Sequence, residues 1–365
     1  MKNSKISKKL ILQHKPIFDE YDAKAVKNVI KSGWVSEGLE TKKFEENYRK
    51  YIGTKYAIAT SSGTAAIFLS LLGSGVKPRD EVIVPNITFI ATANAVVLAG
   101  AKPVFAEING DNFTISLESI KRKITNKTSA IIPVHLNGRT TELNELIEVA
   151  EKFNLRIVED ASQALGSKYE KKFLGSIGNV AAFSLAPTKV ITTGQGGIVT
   201  TNDIKIFEKI KKIKDQGRQD KSENYKIVGY NFKYTDLQAA LGNSQFSKLK
   251  SRLKWLNKLY ALYYDLLKKN ESIIIPPKKK ENQLWYFDII TKKRNMLQKY
   301  LQKHKIIARP FHNPINSRKP YLTKEKFPIS HKISSIGLYL PSHSDLKIEE
   351  IEYISKKINS FFINQ

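Results

Sequence analysis

The chain contains no cysteine, which excludes disulfides and thiolate-bound metal and fits a reducing compartment. Long apolar runs are missing too. The basic N-terminus, MKNSKISKKLILQHK, carries only LIL, too short for the core of a signal peptide. IATANAVVLAGA, residues 90–101, is interrupted by Thr92 and Asn94 and falls short of a membrane span. These absences predict a cytoplasmic protein with no membrane association. Acidic residues are scarce beside basic ones, 34 against 61, giving a formal charge of +27. Such a charge invites a nucleic-acid reading. Against it, the lysines are dispersed, and lysine far exceeds arginine, the better bidentate reader of phosphates and bases. Specific nucleic-acid binding is not expected. Neither GxxxxGK[ST] nor GxGxxG is present, and no His/carboxylate spacing suits a metal.

What is present is an alternation. ETKKFEENYRKY (40–51) has helical spacing, with Phe44, Tyr48 and Tyr51 toward one face. KYAIAT reads as a strand, SSGT as a turn, and AAIFLSLLGSG as an apolar helix closed by glycine. EVIVP, KPVFAEI, SAIIPVHL and LRIVED read as strands, separated by the helices TFIATANAVVLAG and TELNELIEVAEKF. Short β-branched runs between helices predict a mostly parallel sheet covered on both faces. VAAFSL and GGIVTTND are joined by only a glycine-rich loop, so an antiparallel partner is admissible there. From about 246 the texture changes, starting with the lysine-rich helical stretch FSKLKSRLKWLNKLYALYYDLLKK. The expected division is a large α/β domain over 1–245 and a smaller C-terminal domain over 246–365.

Four stretches carry chemistry. TSSGTAAIF (60–68) starts a helix on a glycine, where free amides and the helix dipole favour phosphate; an ordinary cap by Ser62 or Thr64 is the plainer alternative. IVEDASQALGSKY (157–169) places Glu159 and Asp160 at the end of a buried strand, the position where open α/β sheets bind ligands. A carboxylate there suits a cationic ring nitrogen, or caps the next helix. FSLAPTKVITTGQGG (183–197) sets Lys189 among small and hydroxylated residues, and a lysine shielded from water can bond to an aldehyde. GYNFKYTDLQAALGNSQ (229–245) offers an asparagine in an aromatic turn and a capping box of Thr235 with Gln238. In this order they supply a phosphate anchor, a partner for a pyridine nitrogen and an amine, the parts a pyridoxal 5'-phosphate enzyme requires.

Over nearly its whole length the chain resembles the DegT/DnrJ/EryC1/StrS sugar aminotransferases. The likeness runs from SGWVSEGLETKKFEE through SSGTAAIFLSLL, AIIPVHLNGR, VEDASQALGSKY, FSLAPTKVITTGQGG and GYNFKYTDLQAALG to RPFHNP and LYLPSHSDL. The resemblance implies fold type I of the pyridoxal-phosphate transferases, aspartate-aminotransferase-like, with a mixed, mostly parallel sheet and a smaller C-terminal α+β domain. It implies that Lys189 holds the cofactor's aldehyde, that Asp160 pairs with its ring nitrogen, and that Gln163 lies beside its phenolic oxygen. Gly63, Thr64 and Ser184 would hold phosphate, Phe89 would stack on the ring, and Asn231 would reach the cofactor of a neighbouring subunit in a homodimer. Arg309 and His312 are candidate substrate contacts.

By the same resemblance the reaction is transfer of an amino group, from glutamate, to a nucleotide-linked keto-sugar, in polysaccharide or O-antigen biosynthesis. GWVSEG, DQGRQD (215–220) and ARPFHNPI (308–315) look most like the perosamine-synthase branch, which aminates GDP-4-keto-6-deoxymannose. UDP- or dTDP-linked sugars, a dehydratase of the same family, and a non-catalytic basic nucleic-acid-binding or scaffold protein are the alternatives. Related dehydratases carry histidine in place of the lysine, so Lys189 argues for transamination. Gln195, Leu185 and Lys233 depart from the commoner Glu, aromatic and Arg of the family pattern.

Overall fold

The computed structural model describes residues 9–219 and 224–363; the basic residues 1–8 and Asp220 of DQGRQD lie outside the described residues. Helix α1 (Glu20–Ser32) starts at a capping box of Asp19 with Asp22 and stops at Gly33, whose φ of 73° suits glycine. Helix α2 (Leu39–Ile52) turns Phe44 and Tyr48 into the core, as the spacing predicted. Its start is held from far away: Asp236 Oδ1 accepts from the amides of Gly38 (2.8 Å) and Thr41 (2.9 Å) and from the Thr41 hydroxyl (2.7 Å).

The alternation then builds β1 (Tyr56–Thr60), α3 (Gly63–Gly73), β2 (Glu81–Pro85), α4 (Ala91–Leu98), β3 (Lys102–Ala106) and α5 (Leu117–Lys123). It continues with β4 (Thr128–Ile131), α6 (Leu143–Lys152) and β5 (Arg156–Asp160), then a short hairpin of β6 (Lys168–Tyr169) and β7 (Lys172–Phe173), then β8 (Val180–Ser184), β9 (Gly197–Thr201) and α7 (Ile204–Lys214). The main sheet has seven strands in the order β1-β9-β8-β5-β4-β2-β3. Every pairing is parallel except those of β9, which runs antiparallel to β8 and β1. The β8–β9 connection, residues 185–196, holds no helix to carry a crossover, and the chain returns alongside itself. Helix α3 is buried almost all round because it lies between the sheet and helices α4 and α7.

Helix α8 (Asp236–Ser247) begins on the Thr235/Gln238 capping box predicted for it. Beyond it, α9 (Leu249–Leu267), β10 (Asp288–Ile290), α10 (Arg294–Lys303), β11 (Arg309–Pro310), α11 (Pro328–Ile336), β12 (Gly337–Tyr339) and α12 (Ile348–Ile363) form the smaller α+β part around a three-stranded sheet, β10-β12-β11. Its core, from Leu259 and Tyr263 to Ile358 and Phe361, is separate from those of the main sheet. Ile11 belongs to it too: its amide donates to the carbonyl of Lys305 and its carbonyl accepts from Ile307. The N-terminal segment is thus a strap on the C-terminal part.

The two parts are locked by a buried ion pair. Arg139 meets both carboxylate oxygens of Asp288 at 2.6 and 2.9 Å. Removing two charges from water is costly, and the bidentate geometry is what offsets it.

Candidate active site

Strands β1, β2, β5 and β8 point their carboxyl ends to one edge of the main sheet, where ligands of open α/β sheets bind. At the end of β5, side-chain alternation separates two adjacent carboxylates. Glu159 turns inward and is wholly buried. It accepts from the His135 ring (2.8 Å) and from the amides of Gly175, Ile177 and Gly178 (2.7–2.8 Å). Burial alone would raise its pKa; His135 and the Gly178 and Gly175 amides hold it below the usual value. Glu159 therefore serves the 175–178 loop.

Asp160 faces the other way. Its Oδ2 accepts from the Thr92 hydroxyl (2.8 Å) and its Oδ1 from the Ser162 amide (3.1 Å). Both oxygens are fixed by neutral donors, so the negative charge is oriented without a cationic partner. Three residues on from Asp160, Gln163 Oε1 accepts from the Asn137 amide at 3.0 Å.

At the end of β1, Ser62 caps α3 by accepting from the Ala65 amide (3.1 Å), as the plainer reading of SSGT has it. Gly63 then touches Ser184 at the end of β8 so closely that a Cβ would lie 2.7 Å from Ser184 Cβ and 2.9 Å from its Oγ. The helix start, with Thr64 half-buried beside it, and the Ser184 hydroxyl thus share one small cradle. Amides and hydroxyls converging at a helix N-terminus suit phosphate.

Lys189 follows β8 in a turn closed by its own amide bonding to Ala186. Its amine lies over the Trp285 ring, and Gln163, Ser184, Lys189 and Trp285 line one cavity. Desolvation pushes the lysine down to about 8, against the pull of the Asp160 charge. The Phe89 ring is exposed, 6.0 Å from that of His312. His312 is driven down to about 4 by desolvation, with the Lys189 and Arg318 charges adding. Its imidazole is neutral at pH 7.

Lys189, Gln163 and Ser184 therefore share one cavity, the Asp160 charge reaches the lysine, and Gly63, followed by Thr64, touches Ser184; Phe89 lies beside His312, whose ring feels the Lys189 charge. Two candidates stand apart. Arg309 is exposed on β11, though its charge is felt by His14 and Tyr286. Asn231 is exposed, on a segment bridged to Asp215. The departures have plain structural roles: Leu185 is core, Lys233 pairs with Asp215 at 3.1 Å, and Gln195 lends its carbonyl to Gln238 Nε2. Thr92, Asn137 and Trp285 were not anticipated. The aromatic run QLWYF (283–287) was the visible signal for the last.

These groups fit pyridoxal phosphate: a desolvated amine, an oriented carboxylate, and a phosphate cradle that admits no Cβ at Gly63. The site is that of a pyridoxal-phosphate-dependent transaminase. The chain belongs to the DegT/DnrJ/EryC1/StrS aminotransferase family, whose model matches residues 16–359. It is 33% identical over 364 residues to GDP-perosamine synthase of Escherichia coli O157:H7, covering 97% of this chain and 99% of that one. Its fold matches PseC of Helicobacter pylori, an aminotransferase involved in pseudoaminic acid biosynthesis, with TM-score 0.93, 28% identity, and coverage of 98% and 100%. It likewise matches Spr1654 of Streptococcus pneumoniae in its PLP form, with TM-score 0.92, 25% identity, and coverage of 98% and 99%. It is a sugar aminotransferase.

Proposed function

We propose that the enzyme transfers the amino group of glutamate to a nucleotide-linked keto-deoxysugar, with GDP-4-keto-6-deoxymannose as acceptor and GDP-perosamine as product. The observation that carries the transamination chemistry is the desolvated Lys189 amine within the field of Asp160. The choice of sugar leans on the full-length similarity to a GDP-perosamine synthase.

Pyridoxal phosphate, when bound, supplies the electron sink and carries the amino group between donor and acceptor. Lys189 would hold it by its aldehyde, and the free amine would carry a proton at the donor's α-carbon. Asp160, oriented by Thr92 and the Ser162 amide, would keep its ring nitrogen protonated. Gly63, Thr64 and Ser184 would hold its phosphate. Gln163, steadied by Asn137, would serve its phenolic oxygen, and Phe89 would pack on its ring. His312 would meet the nucleotide-sugar near Lys189, and Arg309, exposed on β11, would meet its outer part. The boundary between the two domains falls near residue 245.

We read the protein as a homodimer. Tyr21, Trp34 and Leu39 are all more than half exposed and line one open groove, and a contiguous apolar surface of this kind calls for a partner. Asn231, exposed in one subunit, would then meet the neighbour's cofactor phosphate. Sedimentation equilibrium should give twice the chain mass, and a monomer mass at micromolar concentration would refute it.

The substrate is tested by incubating the purified enzyme with glutamate and a panel of GDP-, UDP- and dTDP-linked keto-sugars, read by mass spectrometry. The expected product is the aminated GDP-sugar. Amination of a UDP- or dTDP-sugar in its place overturns the GDP assignment, and a deoxygenated, unaminated product points to the dehydratase alternative.

A further inference from the structure

Trp285 lies outside every stretch that announced chemistry, yet it touches the lysine on which the chemistry depends. Nζ of Lys189 sits 4.1 Å from the centroid of its ring. The indole is 8% exposed and fixed on several sides. Tyr286 stacks on it, centroids 4.1 Å apart and planes at 25°. His14, from the N-terminal strap, meets it edge-on at 6.3 Å and also reaches the Pro187 carbonyl in the lysine's own turn.

The backbone beneath the indole is pinned by one residue. Asn137 Oδ1 accepts from the amides of Trp285 (3.1 Å) and Tyr286 (2.8 Å). Its Nδ2 donates to the Tyr286 carbonyl and to Asp288, the acid already gripped by Arg139. Asn137 itself adopts φ 51°, ψ 35°, a left-handed conformation that asparagine tolerates better than most residues. Its amide holds Gln163. One residue thus fixes both a cofactor-facing side chain and the surface under the lysine.

An aromatic face attracts a cation placed above it, and more so when water is excluded. Among the described residues no carboxylate forms an ion pair with Lys189: Asp160 acts on it through its field, and the indole is the surface its amine lies against. An ion pair would hold the amine charged and pinned. A ring face is a weaker, less directional hold, suited to a lysine that must be released and rebound in every turnover.

We propose that Trp285 is a positioning residue whose indole face holds the Lys189 ammonium whenever the amine is free, with Asn137 setting the place of that face. This rests on the reading of Lys189 as the cofactor lysine.

The test uses the full-length protein freed of cofactor. Lys189 is titrated by the pH dependence of its labelling with a small amine-reactive reagent, quantified by mass spectrometry, in the wild type, Trp285→Phe and Trp285→Leu. Leucine keeps the site apolar but removes the π face, so the charged form loses support. The neutral-amine fraction at pH 7 should rise about three- to tenfold in Trp285→Leu and less in Trp285→Phe. Unchanged or slower labelling of Lys189 in a folded Trp285→Leu protein overturns the proposal. Should the leucine variant fail to fold, the phenylalanine variant decides by the same readout, with a rise supporting the platform and no rise refuting it. In loaded enzyme, Trp285→Phe should lower kcat while leaving KM for the amino donor unchanged; the opposite split counts against a positioning role. Because the titration needs no cofactor, it is read independently of whether Lys189 proves to be the cofactor lysine.

Discussion

Lys189→Ala protein mixed with pyridoxal phosphate should show no borohydride-sensitive absorbance at the visible edge, and turnover should fall by at least about a thousandfold. The chain has many lysines, and burial alone does not single this one out. Lys214 is also buried, but its amine donates to the Ala59 carbonyl (3.0 Å) and pairs with Glu37 (3.0 Å) and Glu45 (3.7 Å). Those contacts tie α7 to α2 and β1.

Lys189 has no such partners. Burial lowers its pKa from 10.5 to about 8, with Asp160 opposing. At pH 7 roughly one amine in ten is then neutral, against about one in three thousand for an ordinary lysine. The neutral form is the nucleophile, so cofactor uptake should speed up about tenfold per pH unit below pH 8 and level off above it. The substitution spares the Ala186 hydrogen bond, which is made by backbone, so the turn is preserved. If Lys189→Ala kept the wild-type band, another lysine would hold the cofactor. If wild-type protein stayed colourless with added cofactor, the enzymatic reading itself would fail.

Much of the fold could be read from local pattern. Strands such as Glu81–Pro85 are buried throughout and announce themselves as β-branched runs, and the capping box at Thr235 marks its helix without ambiguity. Helix α1 was not foreseen because its apolar stripe is thin: of its thirteen residues, only Asp22 and Val29 are buried. The Ile11 strap escaped because its partner, the 305–307 segment, lies almost three hundred residues away. The active site divides in the same way. Ser184 and Asp160 end their strands and Lys189 sits in the turn after β8, places where position alone implies a role. Asn137 and Trp285 act through each other across 148 residues, and no local spacing records that contact. The adjacent acids Glu159 and Asp160 were ambiguous as a pair. What separates them is which face of β5 each occupies, and that became visible once the 175–178 loop was seen to surround Glu159.

That separation carries the second large prediction. Asp160→Asn should bind the cofactor and keep its colour while kcat falls about a hundred- to a thousandfold. Asparagine preserves an oxygen for the Thr92 hydroxyl or the Ser162 amide, the two donors that orient the native carboxylate, so the loss should fall on charge more than on shape. An opposite charge beside a titrating group raises or lowers its pKa by about 1–3 units, and each unit is about 1.4 kcal/mol. On the proposed role of Asp160, removing its charge would leave the ring nitrogen less protonated and weaken the electron sink at the barrier, where that protonation would count most. Cofactor binding depends less on this charge, because the phosphate cradle and Lys189 are untouched. Glu159→Gln provides the contrast: it disturbs the His135 ring and three loop amides, and should show chiefly as a lower unfolding midpoint in denaturant. Near-normal turnover in Asp160→Asn would remove the ring-nitrogen role. An equal loss of kcat in a stably folded Glu159→Gln would show that the two acids had not been divided between chemistry and structure.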